Sequence, residues 1–153
     1  MLNRAGEYLA SGDDNQAAAR RYAAITNYHE AARLALAAMI LTGGDRLRGG
    51  DRAHQAVLDY ALDRHLISRP EWQVLDDLRQ TRNEIEYADD AIEPSENDVD
   101  TVSKIALKLF DEATKRAANA ENSPAKKARP KKAASTKAAR NAAGKPIPPP
   151  PSQ

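Results

Sequence analysis

Residues 99–113 repeat apolar side chains at Val99, Val102, Ala106, Leu109 and Ala113, in steps of three and four that an α-helix turns to one side. Ile105 and Phe110 widen that stripe, so the helix has a broad face to bury against other elements. Tyr22, Ile25, Ala32, Leu36 and Met39 make a second stripe of the same kind. No alternating run of β-branched residues is long enough for a strand. The expected fold is therefore all-α: a four- to five-helix antiparallel bundle with short connections.

Turn and cap residues divide the pattern. A first helix over about 2–10 is expected to stop at Ser11-Gly12, after which Asp13 or Asp14 caps a second helix running to about residue 41 and ended by Gly43-Gly44. A third covers about 51–64. Ser68-Arg69-Pro70-Glu71 has the spacing of a capping box, with proline in the first turn where it is tolerated, and opens a fourth helix to about residue 87. Pro94-Ser95 separates this from a fifth at about 96–118. The bundle is thus assigned to residues 1–118. The modest core, mostly alanine and leucine, leaves room for further burial across a homodimer interface.

Beyond residue 118 the periodicity ends, and 119–153 is expected to be a disordered basic tail rich in Ala, Lys and Pro, its last prolines extended. The formal net charge of +1 conceals a division. Residues 1–114 hold 13 Lys and Arg against 21 Asp and Glu, a balance of −8, whereas 115–153 hold 10 basic residues against Glu121 alone, a balance of +9. Lys126, Lys127, Arg129, Lys131, Lys132, Lys137, Arg140 and Lys145 would gain from displacing counterions off phosphate. No aromatic residue is interleaved, so any such binding is expected to be non-specific and salt-sensitive. The same charges equally suit a solubilising segment that touches the acidic body.

The absence of cysteine excludes disulfides and thiolate metal sites. No apolar run reaches the roughly 18 residues of a membrane span, and residues 1–10 lack the apolar centre of a signal peptide, so a cytoplasmic protein without membrane contact is expected. His54 and His65 are not spaced as a helical metal pair, and the Gly43-Gly44 to Gly49-Gly50 loop follows a helix and lacks the ending of a phosphate-binding loop. Neither a metal nor a cofactor is expected. His29, which interrupts the second stripe, is read as a core histidine bonded to a neighbour.

The fourth helix carries the least ordinary residue. Counting back from Ile85 through Arg82 to Leu78 and Leu75 follows the buried seam, and an arginine there must reach water, pair with a carboxylate or line a cleft for an anion. Arg79, Arg82, Asn83, Glu86 and Tyr87 lie three or four apart on one flank. Together they make a candidate polar site. Arg82 and Glu86 equally suit an ordinary i,i+4 ion pair on a solvated helix end.

Three segments over about residues 10–115 carry a resemblance to the HEPN superfamily, small all-α proteins that include toxin and defence ribonucleases. Residues 28–36, with Arg33, look like its alanine-rich second helix. His54-Gln55-Ala56-Val57 looks like its Gly-Gly-His approach to the third, with three extra residues after Gly49-Gly50; residues 78–87 look like its signature of an arginine, a polar residue and a later histidine. Here the signature reads Arg82, Asn83 and then Tyr87 in the histidine's place.

The resemblance implies RNA as ligand, a homodimer, and a toxin-antitoxin or defence setting with a protein antitoxin or nucleotidyltransferase-like partner. It places RNA contact at Arg79 and Arg82, and any catalysis at Arg82, Asn83 and Tyr87, with Glu86 as a further base. Tyrosine, with a pKa near 10, is a poor proton carrier at neutral pH, and losing a general acid or base removes about 10² to 10⁴ in rate. RNA binding is therefore the leading expectation. A metal-independent endoribonuclease using Arg82 with Tyr87 or Glu86, and a non-catalytic partner-binding dimer, are the alternatives.

Overall fold

The second helix of the bundle is its axis. From Leu34 to Ile40 every residue is buried, a run that a helix achieves only when neighbours cover it on all sides. The computed structural model describes residues 1–46, 53–85 and 93–122, without the side chains of 53 and 82–85. Among the described residues the elements are α1 (Leu2–Ala17), α2 (Arg21–Thr42), α3 (Ala53–Asp63), α4 (Arg69–Ile85) and α5 (Glu96–Asn122), with no strand. The fold is the expected all-α antiparallel bundle. α2 packs chiefly between α1 and α5, while α3 and α4 cover its remaining side.

Alanine makes this arrangement possible. Ala24, Ala31, Ala32 and Ala35 are fully buried on α2, where short side chains let the flanking helices approach closely. Larger groups fill the space between: Tyr28, Leu36, Leu58, Leu75, Val99, Val102 and Leu109. The α5 stripe is buried as expected, with Phe110 packed at its margin. On α2 the stripe holds from Ile25 onward, but Tyr22 in the first turn is 37% exposed.

Two boundaries differ from the sequence expectation. α1 does not stop at Ser11-Gly12, and neither Asp13 nor Asp14 caps α2. Ser11 Oγ instead accepts from Asn27 Nδ2 at 3.0 Å, and Asp13 Oδ1 accepts from the Tyr28 hydroxyl at 2.7 Å, so these residues tie α1 to α2 from within the helix. The real break lies at residues 18–20. There the amides of Ala19 and Arg20 return to the carbonyls of Gln16 and Asn15, with Ala19 in the left-handed region at φ 56°. α5 runs on to Asn122, so the expected boundary at 118 falls inside a helix.

Other expectations hold. Gly43 follows the last residue of α2, and Gly44 takes φ 90°. The capping box forms: the Ser68 amide donates to Glu71 Oε2 at 2.8 Å, and the Glu71 amide points back to Ser68 Oγ at 3.5 Å. A second box, Ser95 with Asp98, starts α5, the Ser95 amide donating at 3.0 Å and the Asp98 amide at 3.2 Å. The tail, residues 119–153, lies outside the described residues apart from its first four.

Candidate functional site

α2 meets α4 at His29. Its ring is buried and Nε2 lies 3.1 Å from the Leu75 carbonyl oxygen, which joins the middle of α2 to the middle of α4. This is the core histidine expected from the stripe it interrupts. Next to it on α2, Glu30 receives both ends of the Arg33 guanidinium, Nε to Oε2 at 2.9 Å and Nη2 to Oε1. Such a two-pronged contact fixes direction as well as charge.

The pair is half-buried, and its electrostatics reach α3. Burial pushes the Glu30 carboxyl up, but the hydrogen bond and charge of Arg33, with smaller contributions from His54 and His29, hold it below its ordinary value. Arg33 is pushed up, first by its bond to Glu30 and, against burial, by the charges of Glu30 and Tyr8. A carboxylate held ionised in this way is a weak base at neutral pH and serves to position its partners. Gln55, beside His54, donates to Asp59 Oδ1 at 2.9 Å, while its own Oε1 is shut off from solvent with no hydrogen bond among the described residues.

On α4 the structure finds an acid that sequence reasoning passed over. Asp76 is 5% exposed, receives Arg79 Nε at 2.9 Å on Oδ1 and receives Gln80 Nε2 at 2.6 Å on Oδ2. Arg79 is therefore turned toward its own helix three residues back. The i−3 spacing was the available signal. Arg82 and Asn83 fall in the last turn of α4, but their side chains lie outside the described residues, as do Glu86 and Tyr87. So do Lys126, Lys127, Arg129, Lys131, Lys132, Lys137, Arg140 and Lys145.

A cleft of about 330 Å³ runs along the α4 seam toward α5. Ile25, Val74, Leu78 and Val102 make it apolar, and Asp77 and Asp98 place carboxylates on it, which suits no phosphate. Among the described residues no group of three or more His, Cys, Asp or Glu is arranged to hold a metal. Nor is any described helix long and apolar enough to cross a membrane.

The polar groups fixed on these helices are a paired arginine on α2, whose carboxylate partner feels the histidine in the first turn of α3, and separately an acid-anchored arginine on α4. No protein-family model matches the chain, and no curated protein or solved structure matches it either.

Proposed function

We propose that the chain is a HEPN-like homodimer that binds RNA through Arg82 and Asn83 at the end of α4, with the basic residues from Lys126 to Lys145 adding salt-dependent affinity. A toxin-antitoxin or defence system is the setting this reading gives it. The observation that supports it is that two of its three segments lie near each other and the helix that carries the third packs against the same α2. The charge of His54, in residues 54–57, acts on Glu30, in residues 28–36, and His29 bonds to the Leu75 carbonyl of α4, three residues before residues 78–87 begin. Residues 28–36 thus face both α3 and α4, the helices on which the other two segments lie. The charge division supports the reading independently, since a +9 segment favours a polyanion.

The test is fluorescence anisotropy with single-stranded RNA across a salt series, for wild type, Arg82→Ala and a chain ending at residue 118. Arg82→Ala is expected to lower affinity and reduce the salt slope by about one, as loss of one phosphate contact does. Removal of 119–153 is expected to flatten the slope much further. Absence of salt-dependent binding, together with an unchanged Arg82→Ala, would sink the proposal.

The same samples, incubated with RNA in chelator, separate binder from enzyme. Cleavage that leaves 2′,3′-cyclic phosphate ends and vanishes in Arg82→Ala would favour the endoribonuclease. Cleavage gained only in Tyr87→His would mark a site lacking its proton carrier. An Arg82→Ala variant that weakens the dimer of a protein binding no RNA would favour the partner-binding reading.

A further inference from the structure

A crevice of about 420 Å³ opens where the turn from α3 to α4 faces the middle of α5. Three basic side chains from three elements line it: His65 just past α3, Arg69 in the first turn of α4, and Lys108 on α5. Leu62, Leu66 and Ile67 complete an apolar wall behind them. In a body whose balance is −8, Arg69 and Lys108 set two cations beside a histidine, against the prevailing sign.

Among the described residues that line it, the one carboxylate, Glu71, is already satisfied. Glu71 Oε1 accepts from Lys108 Nζ at 2.6 Å, and Oε2 accepts from the Ser68 amide and hydroxyl at 2.8 and 2.7 Å. Glu71 therefore fixes Lys108 across the crevice and uses one of the three protons on its ammonium. Arg69 Cζ lies over the Trp72 ring, 4.5 Å from its centroid, a cation–π contact that holds the side chain beside the crevice. His65 is held at φ 55° with Nδ1 3.3 Å from the Leu62 carbonyl oxygen, which fixes the ring at the edge of the crevice and leaves Nε2 as its other polar atom.

We propose that this crevice binds a phosphoryl anion, with Arg69 and Lys108 as the principal donors and His65 completing the basic rim. A planar guanidinium beside an ammonium fixed by its own carboxylate matches the several oxygens of such a group. The source is either a free phosphate or nucleotide, or a phosphate of an RNA strand. The site does not depend on the Arg82 proposal.

The experiment follows backbone amides of residues 65–71 and 108 in the isotope-labelled full chain at low salt. Inorganic phosphate is titrated first, then a single-stranded oligouridylate. Saturating shifts with phosphate identify a small-anion site, and saturation with the oligonucleotide alone identifies an RNA backbone contact. Arg69→Gln and Lys108→Gln are each expected to weaken the saturating probe about tenfold, the loss of a charge-assisted bond. His65→Asn, a residue that tolerates the left-handed backbone and can keep a local hydrogen bond, is expected to weaken it at little changed thermal stability, so the loss cannot be assigned to unfolding.

Shifts that stay linear with either probe, or affinities unchanged in all three variants, would overturn the site. Phosphate saturating here in a protein that binds no RNA would remove the Arg82 proposal and leave this one intact. RNA binding that requires Arg82 and leaves these amides unmoved would do the reverse.

Discussion

Gly12 of α1 lies against the ring of Tyr28 on α2, so closely that a Cβ on residue 12 would stand 2.5 Å from Cε1, 2.7 Å from Cδ1 and 2.9 Å from Cζ. The ring has nowhere to move. It is fully buried, and its one hydroxyl proton has two acceptors in reach, Asp13 Oδ1 at 2.7 Å and Gln16 Oε1 at 2.8 Å. Gly12→Ala would gain about 1 kcal/mol of helix propensity, but overpacking costs about 1–3 kcal/mol and ring and hydroxyl would shift together. The variant is expected to unfold at lower urea than wild type. A midpoint equal to or above wild type would show that α1 and α2 can separate.

Tyr28 also predicts behaviour in alkali. Burial and then the hydrogen bond to Asp13 push its hydroxyl up to about 12, against an ordinary value of 10.0. Because the folded value is the higher one, the stability it contributes is complete below pH 10 and is lost as pH rises from about 10 to about 12. Tyrosinate absorbance should show Tyr28 ionising late, together with unfolding. In Asp13→Asn that late step is expected to move to lower pH.

Glu71 gives the opposite sign in acid. Burial raises its carboxyl, but the bond from Lys108, then those from Ser68, bring it below the ordinary value of 4.5. The stability it contributes is present above the unfolded value and disappears as pH falls through the lower folded one. Glu71→Gln is expected to cost about 1 kcal/mol at neutral pH, as loss of a helix cap and an exposed ion pair does. Below pH 4.5 the gap between the two melting curves should close. A gap that persists undiminished in acid would assign the loss to packing instead.

These residues also show how much of the fold was legible. Periodicity was enough for α5, because a broad apolar stripe has one solution in a bundle, and Ser68 with Glu71 marked the start of α4 through a purely local motif. The end of α1 was not legible. Gly12 resembles a helix stop, yet its role is close approach between helices, which depends on a tyrosine sixteen positions away. The true stop at Ala19 carries no glycine or proline. On α4, Arg79 was grouped with residues ahead of it, whereas its carboxylate lies three residues behind.

The left-handed alanine yields a stabilising substitution. Ala19 at φ 56° bears a Cβ strain of about 1 kcal/mol that glycine does not. Ala19→Gly is expected to raise the melting temperature by several degrees despite the added freedom of the unfolded chain. A lower melting temperature would mean that the methyl group's packing outweighs the strain.

Arg79 and Arg82 are one turn apart on α4, and substitution should separate them into different roles. Arg79 holds the buried Asp76, so Arg79→Ala leaves that carboxylate with Gln80 as its one remaining side-chain donor among the described residues. Unfolding is expected to become easier by about 1–3 kcal/mol, the cost of an under-satisfied buried acceptor. Asp76→Asn in the same chain should recover part of the loss, because an amide tolerates burial better than an unpaired charge. RNA affinity, measured well below the melting transition, should change little. For Arg82→Ala the expectation is reversed: a small change in stability and a clear fall in affinity. If Arg79→Ala weakens RNA binding as much as Arg82→Ala while stability holds, then Arg79 belongs to the binding surface and its bond to Asp76 is incidental.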